Sequence, residues 1–321
     1  MKHAMRTATA FAFASMCLCA GADAKIVTFQ IPFSYPSGIN DKGEVTGFYD
    51  DHTGGGEHGF LWQPGGAITT FDVANAGSFR PEGISTTGVV TGSYALIDGS
   101  LGGFSRAADG TVTTYNVGWF AIPAGMNSKG WVVGAFNGSQ TFLRDPFGEI
   151  TKIPLGPLAS PKVLNRSRTI AGVKYLDQGN QAQGFIRPKN GTTTLFGDIH
   201  RSVTVGGMND AGDVVGWYAD DGQPAVGFFR TSDGTITTFV PPNGGTLVWL
   251  AGINNSGTVA GSFLDSSGVT HGFLRAADGT FTPFDPKGSV FTRIQAINNK
   301  GAIAGSYWTQ DDQFFDFAGK P

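Results

Sequence analysis

The sequence lacks two features that support common kinds of chemistry. Its only cysteines are Cys17 and Cys19, so residues 20–321 offer no disulfide, no thiolate metal site and no cysteine nucleophile. Only 15% of the residues are charged, and lysine and arginine form no cluster. Because binding to phosphate groups requires a concentration of basic side chains, we expect no nucleic-acid partner.

Long hydrophobic runs are missing as well. No apolar stretch after residue 24 is long enough to cross a bilayer, so we expect no membrane span. Residues 1–24 begin with basic side chains, continue with a short apolar run and end in Ala22-Asp23-Ala24, which is typical of a cleaved secretory signal. A transmembrane anchor is the alternative, but the run is short and rich in Ala and Thr. We expect a secreted or periplasmic chain that begins at Lys25.

What the sequence does contain is a repeat, shown most clearly by Gly252 to Asp285 (GINNSGTVAGSFLDSSGVTHGFLRAADGTFTPFD). Each copy opens with an Asn, replaced once by Ser, and a Gly follows seven residues later in every copy. The Asn column is Asn40, Ser85, Asn127, Asn165, Asn209, Asn254 and Asn298. The Gly column is Gly47, Gly92, Gly134, Gly172, Gly216, Gly261 and Gly305.

Two further columns are mainly aromatic. The first is Phe60, Phe104, Phe142, Phe185, Phe228, Phe273 and Phe317. Eleven residues after the first six of these come Phe71, Tyr115, Ile153, Phe196, Phe239 and Phe284. The seventh copy ends before that position, whereas a matching segment with Phe29 stands at residues 25–32.

Each copy contains four short runs rich in Val, Ile, Thr, Phe and Tyr, separated by Gly, Asn and Asp. Asp-Gly pairs such as Asp278-Gly279 indicate tight hairpins, so each copy is predicted to be a four-stranded antiparallel meander. Seven copies of about 43 residues predict an all-β, seven-bladed β-propeller over residues 25–321. Residues 25–32 are expected to complete the last blade. An open β-solenoid or two β-sandwiches would explain neither the missing strand nor the spare one.

The segments Gly38 to Asn40, Val45 to Tyr49 and His58 to Trp62 resemble the HAF repeats of bacterial extracellular proteins. The resemblance covers the chain after the signal and implies exported, propeller-like repeats without any assigned activity. Gly replaces the Ala of His-Ala-Phe, and Arg168 stands where the other copies have a turn Gly. A distorted hairpin is therefore expected in the fourth copy.

The constant spacings indicate where binding residues lie. Because length varies only between the second and third strands and between copies, the variable connections should emerge on one side of the disc, here called the variable-loop face. We expect ligand binding there by Tyr35, Trp119, Trp249 and Arg293. If they converge, His200, Arg201, Arg80 and Glu82 form a candidate acid/base group.

Three classes of function remain open. The sequence favours a non-catalytic propeller, acting as a monomer, that binds a glycan or an extracellular protein. The alternatives are a secreted polysaccharide hydrolase or lyase with its site at the mouth of the central channel, and a scaffold without a small ligand. The Asp-rich loops lack the spacing of calcium ligands, so no metal site is expected, and no cofactor motif is present.

Overall fold

The structure is a computed structural model that describes residues 26–52, 56–138, 140–176, 181–198, 201–219 and 223–321. The signal predicted at residues 1–24 lies outside these ranges. The described residues form 28 strands and one 3₁₀ turn at Pro242–Gly244. None of their helices is long and apolar enough to cross a membrane.

The strands form seven four-stranded antiparallel sheets, which confirms the predicted seven-bladed β-propeller. The inner strands, which contact one another around the ring, are β2 (Ser34–Ile39), β6 (Ala76–Ile84), β10 (Ala121–Met126), β14 (Ala159–Leu164), β18 (Ser202–Met208), β22 (Thr246–Ile253) and β26 (Ser289–Ile297). The second strands are β3 (Val45–Asp50), β7 (Val90–Leu96), β11 (Val132–Phe136), β15 (Ile170–Tyr175), β19 (Val214–Ala219), β23 (Val259–Leu264) and β27 (Ile303–Thr309). The third strands are β4 (Glu57–Trp62), β8 (Leu101–Arg106), β12 (Gln140–Arg144), β16 (Ala182–Arg187), β20 (Val226–Arg230), β24 (Thr270–Arg275) and β28 (Phe314–Gly319). The outer strands are β5 (Ile68–Phe71), β9 (Val112–Tyr115), β13 (Ile150–Ile153), β17 (Thr194–Phe196), β21 (Ile236–Phe239), β25 (Phe281–Phe284) and β1 (Val27–Phe29).

Strand β1 closes the ring, as the spare N-terminal segment predicts. It pairs antiparallel with β28, and Phe29 lies opposite Asp316. The Phe29 ring also stacks on Trp62 of the first blade, with 4.7 Å between ring centroids and 9° between planes. The last blade therefore contains both ends of the described chain, and its outer strand also packs against the next blade.

The Gly and Phe columns are two halves of one contact. Gly47 and Phe60 are cross-strand partners on β3 and β4. A Cβ on Gly47 would lie 2.2 Å from the carbonyl oxygen of Tyr35 and 2.6 Å from the Phe60 ring, so only glycine fits. All seven Phe side chains of the column are buried. The invariant spacing thus reflects a ring packed flat over the backbone of the second strand.

The Asn column has a second role beyond the turn that the sequence predicts. Within the last blade, Asn298 Oδ1 accepts hydrogen bonds from the backbone of Lys300 and Ala302 (3.0 and 2.9 Å). Its Nδ2 donates to the carbonyl oxygen of Asn40 in the first blade at 2.8 Å. The same bond to the next blade is made by Asn40 (3.0 Å), Asn127 (2.9 Å), Asn165 (3.3 Å) and Asn209 (3.5 Å). These amides form a belt that joins neighbouring blades at the face opposite the variable loops, here called the turn face.

The fourth blade does not have a distorted hairpin, so that expectation is wrong. Arg168 adopts φ 65°, a left-handed conformation that the other copies reach with Gly. Its N–H still donates to the carbonyl oxygen of Asn165 at 3.0 Å, as Gly43 donates to Asn40 at 2.9 Å. The Arg168 guanidinium lies 4.3 Å from the centroid of the Trp131 ring, and this contact offsets part of the backbone strain.

The variable connections do share one face. Their backbones touch in pairs: Asp50 N donates to Phe33 O (3.4 Å), Ile97 N to Asn75 O (3.3 Å) and Tyr175 N to Leu158 O (3.0 Å). In each pair one residue ends or directly follows a second strand, and the other precedes an inner strand. The inner strands therefore run from the variable-loop face to the turn face.

Candidate functional site

Every inner strand carries a β-bulge at the same height. The register against the second strand shifts by one residue in all seven blades, for example between Pro36 and Gly38 and between Ile294 and Ala296. The extra residue stands three positions before the Asn column. These bulge residues are Ser37, Glu82, Ala124, Lys162, Gly206, Ala251 and Gln295. A bulge redirects a side chain, and here all seven line one cavity in the central channel.

That cavity has a volume of about 390 Å³ and lies where the inner strands begin, at the variable-loop face. Further along the channel, the residue before each Asn column position is large and apolar. These seven side chains form a collar: Ile39, Ile84, Met126, Leu164, Met208, Ile253 and Ile297. The collar also lines a space of about 190 Å³ at the turn face. A third space, of about 230 Å³, is lined by both collar and bulge residues and lies between the other two. The larger cavity is therefore the one nearest to the variable-loop face.

A row of aromatic rings and one guanidinium runs along the cavity, and its members Tyr35, Trp217 and Trp249 line it. The Arg293 guanidinium lies over the Tyr35 ring at 5.4 Å and over the Trp249 ring at 5.0 Å. Trp249 in turn meets Trp217 at 6.0 Å, and Tyr35 stacks on Phe48 at 5.4 Å. These residues belong to the fifth, sixth, seventh and first blades. Gly206, a bulge residue without a side chain, lies beside Leu250 and Trp217: a Cβ there would be tight against Leu250, at 3.1 Å from its Cβ, and in ordinary contact with the Trp217 ring, at 3.5 Å.

Three polar atoms along this wall have no hydrogen-bond partner among the described residues: Trp249 Nε1, Arg293 Nε and Gln295 Oε1. The Gln295 side chain is only 6% exposed, and its Nε2 donates to Ser306 Oγ at 3.1 Å. That bond orients the amide so that the oxygen is the free end. Since an unpaired buried polar atom is costly, these atoms mark places where a polar ligand gains hydrogen bonds.

Glu82 is the one acidic residue among the seven bulge residues. Burial raises the pKa of its carboxyl, against the lowering effect of the nearby Lys162 and Arg80 charges. Arg80 itself bonds to Glu57 at 2.5 Å and lies 4.4 Å from the centroid of the Phe48 ring. The cavity thus contains a desolvated carboxyl within reach of cationic side chains.

The structure brings some of the candidate residues together and separates others. Tyr35, Trp249 and Glu82 line the cavity, and Arg293 lies against two of its rings. Arg80 borders it through Phe48. The Arg201 guanidinium lies over the Tyr218 ring at 4.8 Å, and neither residue lines the cavity.

Two candidates remain apart from this group. Trp119 is 92% exposed on the variable-loop face, where its backbone N–H donates to Asn137 Oδ1 at 2.9 Å. It does not line the cavity, whereas Trp249 is partly buried within it. His200 lies outside the described residues. The acid/base group of four therefore reduces, among described residues, to Glu82 with Arg80 beside it.

Sequence patterns single out neither Lys162 nor Trp217, although both line the cavity. A signal for Lys162 is present in the repeat. Three residues before the Asn column, four copies place a polar residue within a strand that is otherwise apolar or small: Ser37, Glu82, Lys162 and Gln295. Trp217 follows the Gly column directly and carries no comparable signal, since that position is filled by residues of every kind.

His58 and His271 occupy one repeat position and form the same arrangement in two blades. The Nδ1 of His271 lies 2.7 Å from Asp285 Oδ2, and its Nε2 lies 3.3 Å from Asp265 Oδ2. His58 lies between Asp72 and Asp51 at 2.9 and 3.3 Å. Among the residues described, no group of three or more acidic, His or Cys side chains is arranged to hold a metal ion. These clusters link the third strand to its neighbours.

The fold is similar to that of several solved structures. A streptogramin B lyase matches with a TM-score of 0.61 and 14% identity, over 93% of this chain and 98% of that one. A catalytically inactive virginiamycin B lyase from Staphylococcus aureus, solved with quinupristin, matches with a TM-score of 0.62 and 15% identity, over 93% and 100%.

Prolyl oligopeptidase B from Galerina marginata matches with a TM-score of 0.59 and 11% identity, over 89% of this chain and 47% of that one. No protein-family model and no curated protein matches the sequence. At these identities the likeness establishes the shared β-propeller fold and carries no information about the ligand.

Proposed function

We propose that this protein is an exported, non-catalytic β-propeller that binds a glycan in the channel cavity at its variable-loop face. One observation carries the proposal: the aromatic rings of Tyr35, Trp249 and Trp217 line the same cavity as four polar bulge residues, which are Ser37, Glu82, Lys162 and Gln295. The volume, about 390 Å³, falls in the range of roughly 300–1,000 Å³ that is usual for small-ligand pockets.

A sugar ring suits this wall for a physical reason. Its C–H faces are apolar and pack against flat aromatic rings, while its hydroxyl groups point outward around the edge. Trp249 Nε1 offers a donor and Gln295 Oε1 an acceptor for such hydroxyls. Each of these bonds satisfies a protein atom that is otherwise unpaired, so the free energy gained exceeds that of an exposed hydrogen bond.

Hydrolysis is disfavoured by the number of acidic groups. Glycoside hydrolysis commonly uses two carboxyl groups on opposite sides of the scissile bond. Among the described residues that line the cavity, Glu82 is the one carboxyl. The carboxyl of Glu57, outside the cavity lining, is paired with Arg80. A single acidic group fits binding better than hydrolysis.

A polysaccharide lyase is the second candidate, and Glu82 is the observation that favours it. A carboxyl with a raised pKa in a cavity is a candidate proton donor or acceptor. Product formation from a polysaccharide panel, followed by ultraviolet absorbance of unsaturated ends and by reducing ends, tests this. Activity that disappears in Glu82→Gln would replace the non-catalytic proposal.

Binding is tested by calorimetric titration of residues 25–321 with trisaccharides. Trp249→Phe removes the indole donor and should weaken binding about two- to tenfold, the effect of one hydrogen bond. Trp119→Ala should leave trisaccharide affinity unchanged, because Trp119 lies outside the cavity. A longer glycan that reaches the rim would lose affinity in Trp119→Ala as well. Equal loss of trisaccharide binding in both variants would contradict the placement of the site.

Export and family are part of the proposal. The N-terminal pattern and the resemblance to HAF repeats support secretion or periplasmic localisation. Expression of the full chain in a bacterial host, with mass spectrometry of the exported protein, should give Lys25 as the first residue. If the protein binds no glycan and instead retains an extracellular protein through this face, the interaction-scaffold alternative takes precedence.

A further inference from the structure

We propose, resting on the function above, that the bound glycan is acidic and that Arg293, assisted by Lys162, binds its carboxylate. The natural ligand would then be a polymer or oligomer containing uronic acid. Arg293 lies on the inner strand of the seventh blade, against the cavity-lining rings of Tyr35 and Trp249. Lys162 lines the cavity from the fourth blade, so the two side chains approach a sugar from different sides.

Arg293 is held in a position suited to a carboxylate. Its guanidinium lies over two rings, Tyr35 and Trp249, which fix its plane. Within the described part of the chain its side chain donates no hydrogen bond and forms no ion pair. A guanidinium stacked by its faces keeps its N–H groups available at its edge, and that edge matches the two oxygens of a carboxylate.

The balance of charge in the cavity points the same way. Arg80 is paired with Glu57, so this pair adds no net charge. Lys162 is exposed in the channel and makes no ion pair within the described residues. Arg293 and Lys162 together outweigh the single carboxyl of Glu82. The whole chain has a net charge of −3, so a cationic cavity is opposite in sign to the molecule around it.

The remaining contacts favour an acidic sugar over an acidic peptide. Gln295 lines the cavity, is only 6% exposed and has an unpaired Oε1, and an oxygen acceptor requires a donor such as a hydroxyl group. The flat Trp249 ring beside it suits the face of a pyranose. A carboxylate, a hydroxyl and an apolar face close together on one unit are the features of a uronate.

The test compares trigalacturonic acid with its fully methyl-esterified form by calorimetric titration of residues 25–321. The two probes share their rings and hydroxyls and differ in charge. We expect the acid to bind about tenfold tighter or more, as a charge-assisted hydrogen bond contributes. Mannuronate and glucuronate oligomers with matched esters extend the comparison. Raising the salt concentration should weaken binding of the acids and not that of the esters.

Variants assign the effect to residues. Arg293→Gln should abolish the preference for acid over ester, and Lys162→Gln, an exposed position that tolerates substitution, should reduce it. Arg201→Gln, whose guanidinium stacks on Tyr218 outside the cavity, is the matched control and should keep the preference. If the acid and its ester bind with equal affinity, this inference is overturned and the glycan proposal stays in place. Binding of neither form of any sugar would overturn both, and binding of an Asp-rich peptide alone would identify a protein partner instead.

Discussion

The side-chain amide of Asn298 donates a hydrogen bond to the backbone carbonyl of Asn40 at 2.8 Å, across 258 positions of sequence. This bond continues the amide belt from the seventh blade to the first. Ring closure is therefore secured at two places: by β1 on β28 at the outside of the last blade, and by an asparagine beside the channel.

Replacing Asn298 with Asp separates the two roles of the column. The variant keeps the oxygen that accepts from Lys300 and Ala302 but loses the donor to Asn40. We expect a loss of about 1–3 kcal/mol in the free energy of unfolding, because the bond between the blades is lost and a carboxylate oxygen replaces the donor beside the Asn40 carbonyl, which keeps only its bond from Gly43. Urea unfolding measures it, and the exposed Asn190→Asp is the control. If Asn298→Asp loses no more unfolding free energy than the control, the Asn column stabilises only the turn within each blade.

Strand β1 should be essential to stability. Phe29 is 2% exposed and packs on Trp62, so Phe29→Ala should cost about 3–5 kcal/mol. Deleting residues 25–32 would also expose the edge of β28 and should cause aggregation or a much lower melting temperature. Thr28→Ala on the same strand is the control for Phe29→Ala. If the deletion variant has the same melting temperature as residues 25–321, closure does not depend on β1.

Asp316 should make the protein less stable as the pH rises. It is fully buried on β28, where it accepts a hydrogen bond from Ser34, and burial raises its pKa well above 3.8. The folded state therefore binds a proton that the unfolded state releases above pH 3.8, so stability falls with increasing pH up to the folded pKa. Asp316→Asn should remove this dependence.

Thermal melts at pH 5, 6, 7 and 8 measure the effect. Asp316→Asn should gain stability relative to the wild type as the pH rises from 5 until it passes the folded pKa of Asp316, while the exposed Asp311→Asn should follow the wild type throughout. A difference between Asp316→Asn and the wild type that does not change with pH would refute the assignment.

His271 should act in the same direction as Asp316. Burial lowers its pKa, but hydrogen bonds and charges from Asp285 and Asp265 outweigh this and raise the pKa above 6.5. Its pairs thus stabilise the fold below pH 6.5 and lose that contribution as the pH rises through the folded pKa. His271→Gln should lower the melting temperature more at pH 5.5 than at pH 8.5. Asp285→Asn removes one partner of His271. In this background the effect of His271→Gln on the melting temperature should differ less between pH 5.5 and pH 8.5 than it does in the wild type. A difference as large as in the wild type would contradict the pairing.

Much of the fold could be predicted because each blade makes the same contacts, so the same residue types recur at the same spacing in seven copies. The Gly and Phe columns recur since a ring must lie against a backbone without Cβ, as Gly47 and Phe60 show. A missing outer strand in the seventh copy and a spare one near Phe29 were enough to predict closure. The Arg168 turn could not be judged, because a residue's identity does not show whether nearby side chains such as Trp131 offset positive φ.

The candidate site was only partly predictable, since it belongs to the differences between copies. Tyr35, Glu82, Trp249 and Arg293 follow from their place at the starts of the inner strands, but their convergence required the closed ring. Trp119, like Trp249, stands near the start of an inner strand in the sequence, but it lies on the exposed rim. The bulges turn Lys162 and Gln295 into the channel, and hydrogen-bond register is a property of paired strands that one strand does not reveal.

By itself, then, the sequence determined the number of blades, their strands and the strand that closes the ring, because these depend on local periodicity and on contacts repeated at fixed spacing. Only the tertiary structure decided which side chains meet. The Arg293 guanidinium lies between Tyr35 of the first blade and Trp249 of the sixth, residues more than two hundred positions apart in the chain, because closing the ring brings the inner strands around one channel.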